Sequence, residues 1–307
     1  MRRLVLLAVL ATTLSGATPA RAETTLYVVD QPELFFVVEV KGEAVYAAYL
    51  EAESLCYGAG AHWYEGPSAV THRAFETGPV GLRPVDGGYR LLRRHSDLYE
   101  SSREELRLQI RPDRIAGTYL AENSGEAIQG NCETNAPGFE PEFGDESEPP
   151  IGFEARPYVP LGSPRATLPD PDAKALYFQA SRQIEALSWI EDGAVTKVRG
   201  VAREACHSRR GKRFALRREL EPEPPFSIDS ATGVFEGRGG RDWPYLSAAS
   251  HLEASASVSQ VLGRYRAAIA YRNGHRKRFY EWCVTGAPGG DGYVGVQALR
   301  YVPAANP

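Results

Sequence analysis

Two pairs of cysteines at nearly the same separation constrain this 307-residue chain more than any other feature: Cys56 and Cys132 lie 76 positions apart, and Cys206 and Cys283 lie 77 apart. Laying one half of the chain on the other brings further residues into line. The stretch from Leu26-Tyr27 to Cys56 matches Leu176-Tyr177 to Cys206 without a gap, at an offset of 150. At an offset of 146, Leu82 meets Ile228, Tyr89 meets Phe235, and Gly117-Thr118-Tyr119 meets Gly263-Arg264-Tyr265. Cys132-Glu133-Thr134 then answers Cys283-Val284-Thr285, and Phe153 to Pro160 answers Val296 to Pro303, both ending in Tyr-Val-Pro. Ordered self-similarity of this kind marks a repeated structural unit. The expectation is two tandem homologous domains, 23–160 and 174–307. The residues between them, 161–173, are rich in proline and turn formers and read as a short, semi-rigid connector.

The local patterns favour strands. Thr25 to Val29, Leu34 to Val40 and Ala44 to Leu50 are rich in β-branched and aromatic residues, and Leu106 to Ile110 alternates apolar with polar. Gly87-Gly88 precedes Tyr89 to Leu92 as a turn precedes a strand, and Ile115 to Leu120 follows a short turn. In the second half the matching strands are Phe214 to Leu220, Ser257 to Leu262 and Arg264 to Tyr271. Ala173 to Ile190 and Arg266 to Ala270 would also suit helices, but their counterparts in the first half read as strand. Strands every 8 to 12 residues or so suggest a β-sandwich or a small β-barrel. The fold class is therefore all-β, with one intradomain disulfide in each unit, Cys56–Cys132 and Cys206–Cys283. Closing a loop of this length contributes roughly 4 kcal/mol in the chain-entropy account. The cysteines lack the C-x-x-C spacing of a zinc site.

Residues 1–22 read as a secretory signal. Arg2 and Arg3 precede the apolar run Leu4 to Leu14, and Ala20-Arg21-Ala22 has the small-x-small cleavage pattern, so the mature chain is expected to begin at Glu23. The run is too short to span a bilayer. Export to the periplasm or the medium follows, a setting in which disulfides persist. Removing Arg2, Arg3 and Arg21 leaves 32 basic against 39 acidic residues, a balance of −7 that favours solubility over nucleic-acid binding.

Motifs that carry chemistry are missing. There is no Gly-x-Ser-x-Gly, no His-Glu-x-x-His and no Gly-x-x-x-x-Gly-Lys. The six histidines are scattered, and no cofactor or metal is expected. The two halves differ instead in three loops. The first half is longer around Ala59 to Gly66, where His62, Trp63 and Tyr64 form an aromatic cluster suited to stacking on a sugar ring or a partner's surface. Aromatic loop residues more often tuck against their own domain. The second half is longer around Arg272 to Arg278, where Arg272, His275, Arg276, Lys277 and Arg278 could grip an anionic polymer, a lipid surface or an acidic partner. Asn273-Gly274 at its tip also makes this an ordinary solvated hairpin turn. The first half is longer again at the acidic loop Glu140 to Glu148, which lacks the regular spacing of a calcium loop.

A repeated scaffold with variable loops and no catalytic motif reads as an exported, non-catalytic binding protein, inhibitor-like in kind. Its partner would be an envelope protein or polysaccharide. Two alternatives stand beside it. One is a polysaccharide hydrolase or lyase using paired carboxylates, with Glu65, Glu142 and Asp145 as candidates. The other is a structural envelope protein.

Overall fold

Every regular element among the described residues is a β-strand. The computed structural model describes residues 24–58, 68–74, 80–96, 100–125, 130–134, 150–167, 174–208, 211–220, 222–243, 246–271, 282–286 and 291–305. In the first half these form β1 (Thr24–Asp30), β2 (Leu34–Lys41), β3 (Ala44–Gly58), β4 (Ser68–Ala74), β5 (Val80–Gly81), β6 (Arg83–Val85), β7 (Gly88–Ser96), β8 (Glu100–Ile110), β9 (Ile115–Gly125), β10 (Gly130–Thr134), β11 (Ile151–Ala155) and β12 (Pro157–Pro160). The second half contains β13 (Ala175–Ala180), β14 (Ile184–Glu191), β15 (Ala194–His207), β16 (Arg213–Glu219), β17 (Phe226–Ser227), β18 (Val234–Trp243), β19 (Leu246–Ala256), β20 (Gln260–Tyr271), β21 (Trp282–Thr285) and β22 (Tyr293–Pro303). No helix among the described residues is long and apolar enough to cross a membrane.

The ladders close on themselves. In the second half, β13 pairs with β14, β14 with β15, β15 with β21, β21 with β20, β20 with β22, and β22 returns to β13, a six-stranded barrel. In the first half the same path runs β1, β2, β3, β10, β9, with β11 and β12 sharing the last place before β1. The register recurs as well. Tyr89 stands opposite Leu108 and Phe235 opposite Ala254; Tyr119 faces Leu106 and Tyr265 faces Leu252. Of the two architectures the sequence leaves open, the ladders trace the barrel.

The two stretches that also read as helices are strands. Residues 175–191 form the hairpin of β13 and β14, and Arg266 to Ala270 lies within β20. The expected pair of strands at Ser257 to Leu262 and Arg264 to Tyr271 is one strand. Ser257 forms the preceding turn, its amide donating to the Gln260 carbonyl at 2.8 Å and its Oγ accepting from the Gln260 amide at 3.2 Å. Serine competes with the ladder in this way through its side chain.

Each short sequence match has a physical use. A Cβ at Gly117 would lie 2.1 Å from the Arg107 carbonyl oxygen, and one at Gly263 would lie 2.3 Å from that of Glu253. Only glycine lets the neighbouring strand approach so closely. Two residues on, Tyr119 and Tyr265 are fully enclosed and fill the two barrel interiors. Burial pushes the Tyr119 phenol well above its ordinary range, and the Glu104 carboxylate that accepts its proton at 3.0 Å adds to the effect. In Cys-x-Thr, the buried Thr285 accepts from the Ala267 amide at 2.9 Å and donates to the Gly292 carbonyl, tying β20 to the turn before β22. Tyr-Val-Pro joins the halves: β12 and β22 run antiparallel, with Tyr158 opposite Pro303, Val159 opposite Val302 and Pro160 opposite Tyr301.

Three apolar clusters follow from this arrangement. One fills each half, and the third lies between them, formed by Leu26, Phe35 and Val37 with Leu176, Phe178, Leu187, Val201 and Tyr301. This explains why Leu34 to Val38 is an unbroken apolar run. Leu34, Phe36 and Val38 face the first barrel's interior while Phe35 and Val37 face the second half, so both faces are covered. At the margin of the joint, Lys197 lies over the rings of Phe35 and Trp189 at 5.5 and 5.1 Å and donates to Asp30.

Cys206 and Cys283 form a disulfide across the β15–β21 ladder. Cys132 stands opposite Cys56 in the corresponding β3–β10 ladder. The sulfurs of that pair lie outside the described side chains.

Candidate functional site

An open cleft of about 530 Å³ lies at one end of the first barrel. Strand β1 contributes Thr25 and Tyr27, and β2 with the turn after it contributes Val40 and Gly42. Ile110, Arg111 and Pro112 come from the β8–β9 turn, and Arg165 comes from the connector. The volume falls within the range of small-molecule sites, about 300–1,000 Å³.

The two arginines are held at their backbones. The Arg111 amide donates to the Arg114 carbonyl at 2.8 Å, which closes the β8–β9 turn. Arg165 accepts from the Ala305 amide at 2.7 Å, and its own amide donates to Ser163 Oγ at 3.1 Å. Thr167 adds a bond from its hydroxyl to the Pro303 carbonyl at 2.9 Å. The described part of the connector is thus fastened to the end of the second half, and Arg165 overhangs the cleft from a fixed base. Among the described residues neither Arg111 nor Arg165 has a carboxylate partner, although Arg114 pairs with Glu154 at 3.1 Å. Among the described residues no Asp or Glu lines the cleft.

Tyr27 belongs to the first barrel's core, is 4% exposed and lines the cleft. Burial pushes its phenol upward; the Arg165 charge opposes this and the Asp113 charge adds to it. The hydroxyl is consequently a neutral donor at ordinary pH, and no hydrogen bond occupies it among the described residues. Tyr177 holds the corresponding place in the second half, where its hydroxyl donates to the Ser257 carbonyl at 2.8 Å. Ser257 stands in the β19–β20 turn as Arg111 stands in the β8–β9 turn. The same ladder position thus carries an internal bond in one half and lines the cleft in the other.

The loop residues expected to bind a partner, His62, Trp63, Tyr64, Arg272, His275, Arg276, Lys277 and Arg278, lie outside the described residues, as does the acidic loop. So do Glu65, Glu142 and Asp145. Tyr27, Arg111 and Arg165 were not singled out by sequence. A usable signal existed: the offset of 146 places Arg111 against Ser257, a cation where the other half has a small hydroxyl. Elsewhere, Glu204, Cys206 and Cys283 cluster with their ligand atoms within 4.8 Å of one another. The two sulfurs are bonded to each other, so this group is no metal site in the oxidised chain.

No protein-family model, curated protein or solved structure matches the chain.

Proposed function

We propose that this chain is an exported, non-catalytic binding protein built from two tandem homologous domains, and that it recognises an envelope protein or polysaccharide. The cleft beside Tyr27 carries the reading. Two arginines without carboxylate partners among the described residues line it, together with the buried Tyr27, whose hydroxyl has no hydrogen-bond partner among those residues. Among the described residues its lining contains donors and charge but no carboxylate, histidine, serine or cysteine. That composition suits holding an acceptor-bearing ligand better than moving a proton or attacking a carbonyl. The recurrence of ladder register across the halves supports duplication, and the Cys206–Cys283 bond accords with an oxidising compartment.

The test is binding of the mature chain to a solubilised envelope fraction, compared with the Arg111→Ala/Arg165→Ala double variant. Retention by wild type and loss by the variant is the expected result. Equal retention of both, with the variant folded by circular dichroism, refutes the cleft as the recognition surface.

A further inference from the structure

We propose that the cleft takes the oxyanion of an acidic sugar, a carboxylate or a phosphate carried on a polysaccharide. This rests on the reading of the chain as a binding protein and gives that reading a ligand class.

The donors come first. The cleft is lined by Arg111 and Arg165, which carry planar guanidinium forks, and by Tyr27 and Thr25, which carry hydroxyls. Arginine supplies donors only, in a geometry that matches carboxylate and phosphate oxygens two at a time. A ligand satisfying this lining must bring acceptors and negative charge. Asp113 lies near enough to act on Tyr27, but it does not line the cleft.

Shape then selects the carrier. Ile110 and Pro112 give the cleft an apolar wall against which the C–H face of a sugar ring can rest while its charged substituent meets the arginines. An extended peptide would bind most readily by adding a strand to an open sheet edge. The strands at the cleft offer little such edge. β2 carries β1 on one side and β3 on the other, β12 covers Leu26 and Tyr27 of β1, and β8 pairs with β9 as far as the turn. Recognition therefore falls to side chains. Because Tyr177 is closed onto Ser257, one such site per chain is expected.

The experiment is titration calorimetry of the mature chain at low ionic strength, where screening of charge is weak. The probes are an oligouronate, a sugar phosphate, a neutral oligosaccharide of equal length, inorganic phosphate and a short peptide with a free C-terminus. One equivalent of oligouronate or sugar phosphate should bind, and the neutral oligosaccharide should not. Arg111→Gln and Arg165→Gln should each weaken binding about tenfold or more, as loss of a charge-assisted bond implies. Arg165→Lys should recover part of the loss, which a merely structural role would not predict. Preference for oligouronate assigns a carboxylate, and preference for sugar phosphate assigns a phosphate. Binding of neither, binding indifferent to both arginine variants, or equal binding of inorganic phosphate or the peptide overturns the assignment. Retained arginine-dependent binding to the envelope fraction, with no response to either acidic sugar, would sink the sugar assignment alone. Loss of that arginine dependence would sink the broader reading.

Discussion

Replacing Glu105 by glutamine removes the one anion that three arginines share. Its side chain is 6% exposed on the outer face of β8; the Nη2 atoms of Arg90 and Arg103 approach Oε1 and Oε2 at 2.9 and 2.8 Å, and Arg107 shares Oε1 with Arg90. Burial alone would raise its pKa, but the hydrogen bonds from Arg107 and Arg103 and the charges of Arg107 and Arg90 outweigh it and hold the carboxyl below its usual range. Breaking a buried ion pair from one side costs about 3–5 kcal/mol. Here the arginines are 34%, 38% and 62% exposed, so solvent screens them and takes up part of the loss. The expected cost of Glu105→Gln is about 2–3 kcal/mol. Arg107→Gln, which removes the most exposed partner and leaves two others, should cost less than about 1 kcal/mol.

The sign of the pH dependence follows from the lowered pKa. A carboxyl that ionises more easily in the fold than in the unfolded chain contributes its full stability above the usual carboxylate range. That contribution fades as pH falls through the lowered, folded value. Glutamine does not titrate. Urea unfolding followed by tryptophan fluorescence should show the full gap between wild type and variant at about pH 7 and a much smaller gap at about pH 3. A gap of unchanged size at both values would show that shape, not charge, is what glutamine loses, and would refute the electrostatic account of this cluster.

Gly263→Ala should destabilise the chain by about 3 kcal/mol in the same assay, because its Cβ would meet the Glu253 carbonyl and the adjacent Ala254, and backbone cannot yield as a side chain can. Arg218→Met leaves Glu204, whose side chain is fully enclosed and receives the Arg218 Nε at 2.9 Å, without that partner. A loss of about 3–5 kcal/mol is expected, with most of it recovered in the double variant Arg218→Met/Glu204→Leu; a double variant no better than the single would contradict this. Replacing Cys206 and Cys283 together by serine should lower stability by about 4 kcal/mol under non-reducing conditions and leave no difference from wild type once both are reduced.

The β class was legible from residue types at strand spacing, and the repeat signature overrode local helix propensity correctly at Ala173 to Ile190. Its success there has a simple cause: residues 175–191 pair edge to edge within a ladder, and ladder pairing fixes conformation more firmly than side-chain preference does. What the matching residues do was not legible. Gly-x-Tyr records how closely two strands approach, and Tyr-Val-Pro records a contact between halves; both depend on neighbours more than 100 positions away or on the opposite strand. The cleft was missed for a related reason. Thr25, Tyr27, Arg111 and Arg165 come from β1, a tight turn and the connector, and no linear spacing announces their meeting. Arg111 differs from its counterpart Ser257 by substitution alone, with no insertion to mark it.

The pairing of Tyr-Val-Pro with a second Tyr-Val-Pro makes the seam between the halves a contact that reads the same from either side. Such a seam needs no covalent tether to find its register. A chain cut between Thr167 and Lys174 should therefore travel as one particle on gel filtration and come apart only in denaturant. Two intact chains held at high concentration have the means to exchange halves, each supplying the strand that the other expects.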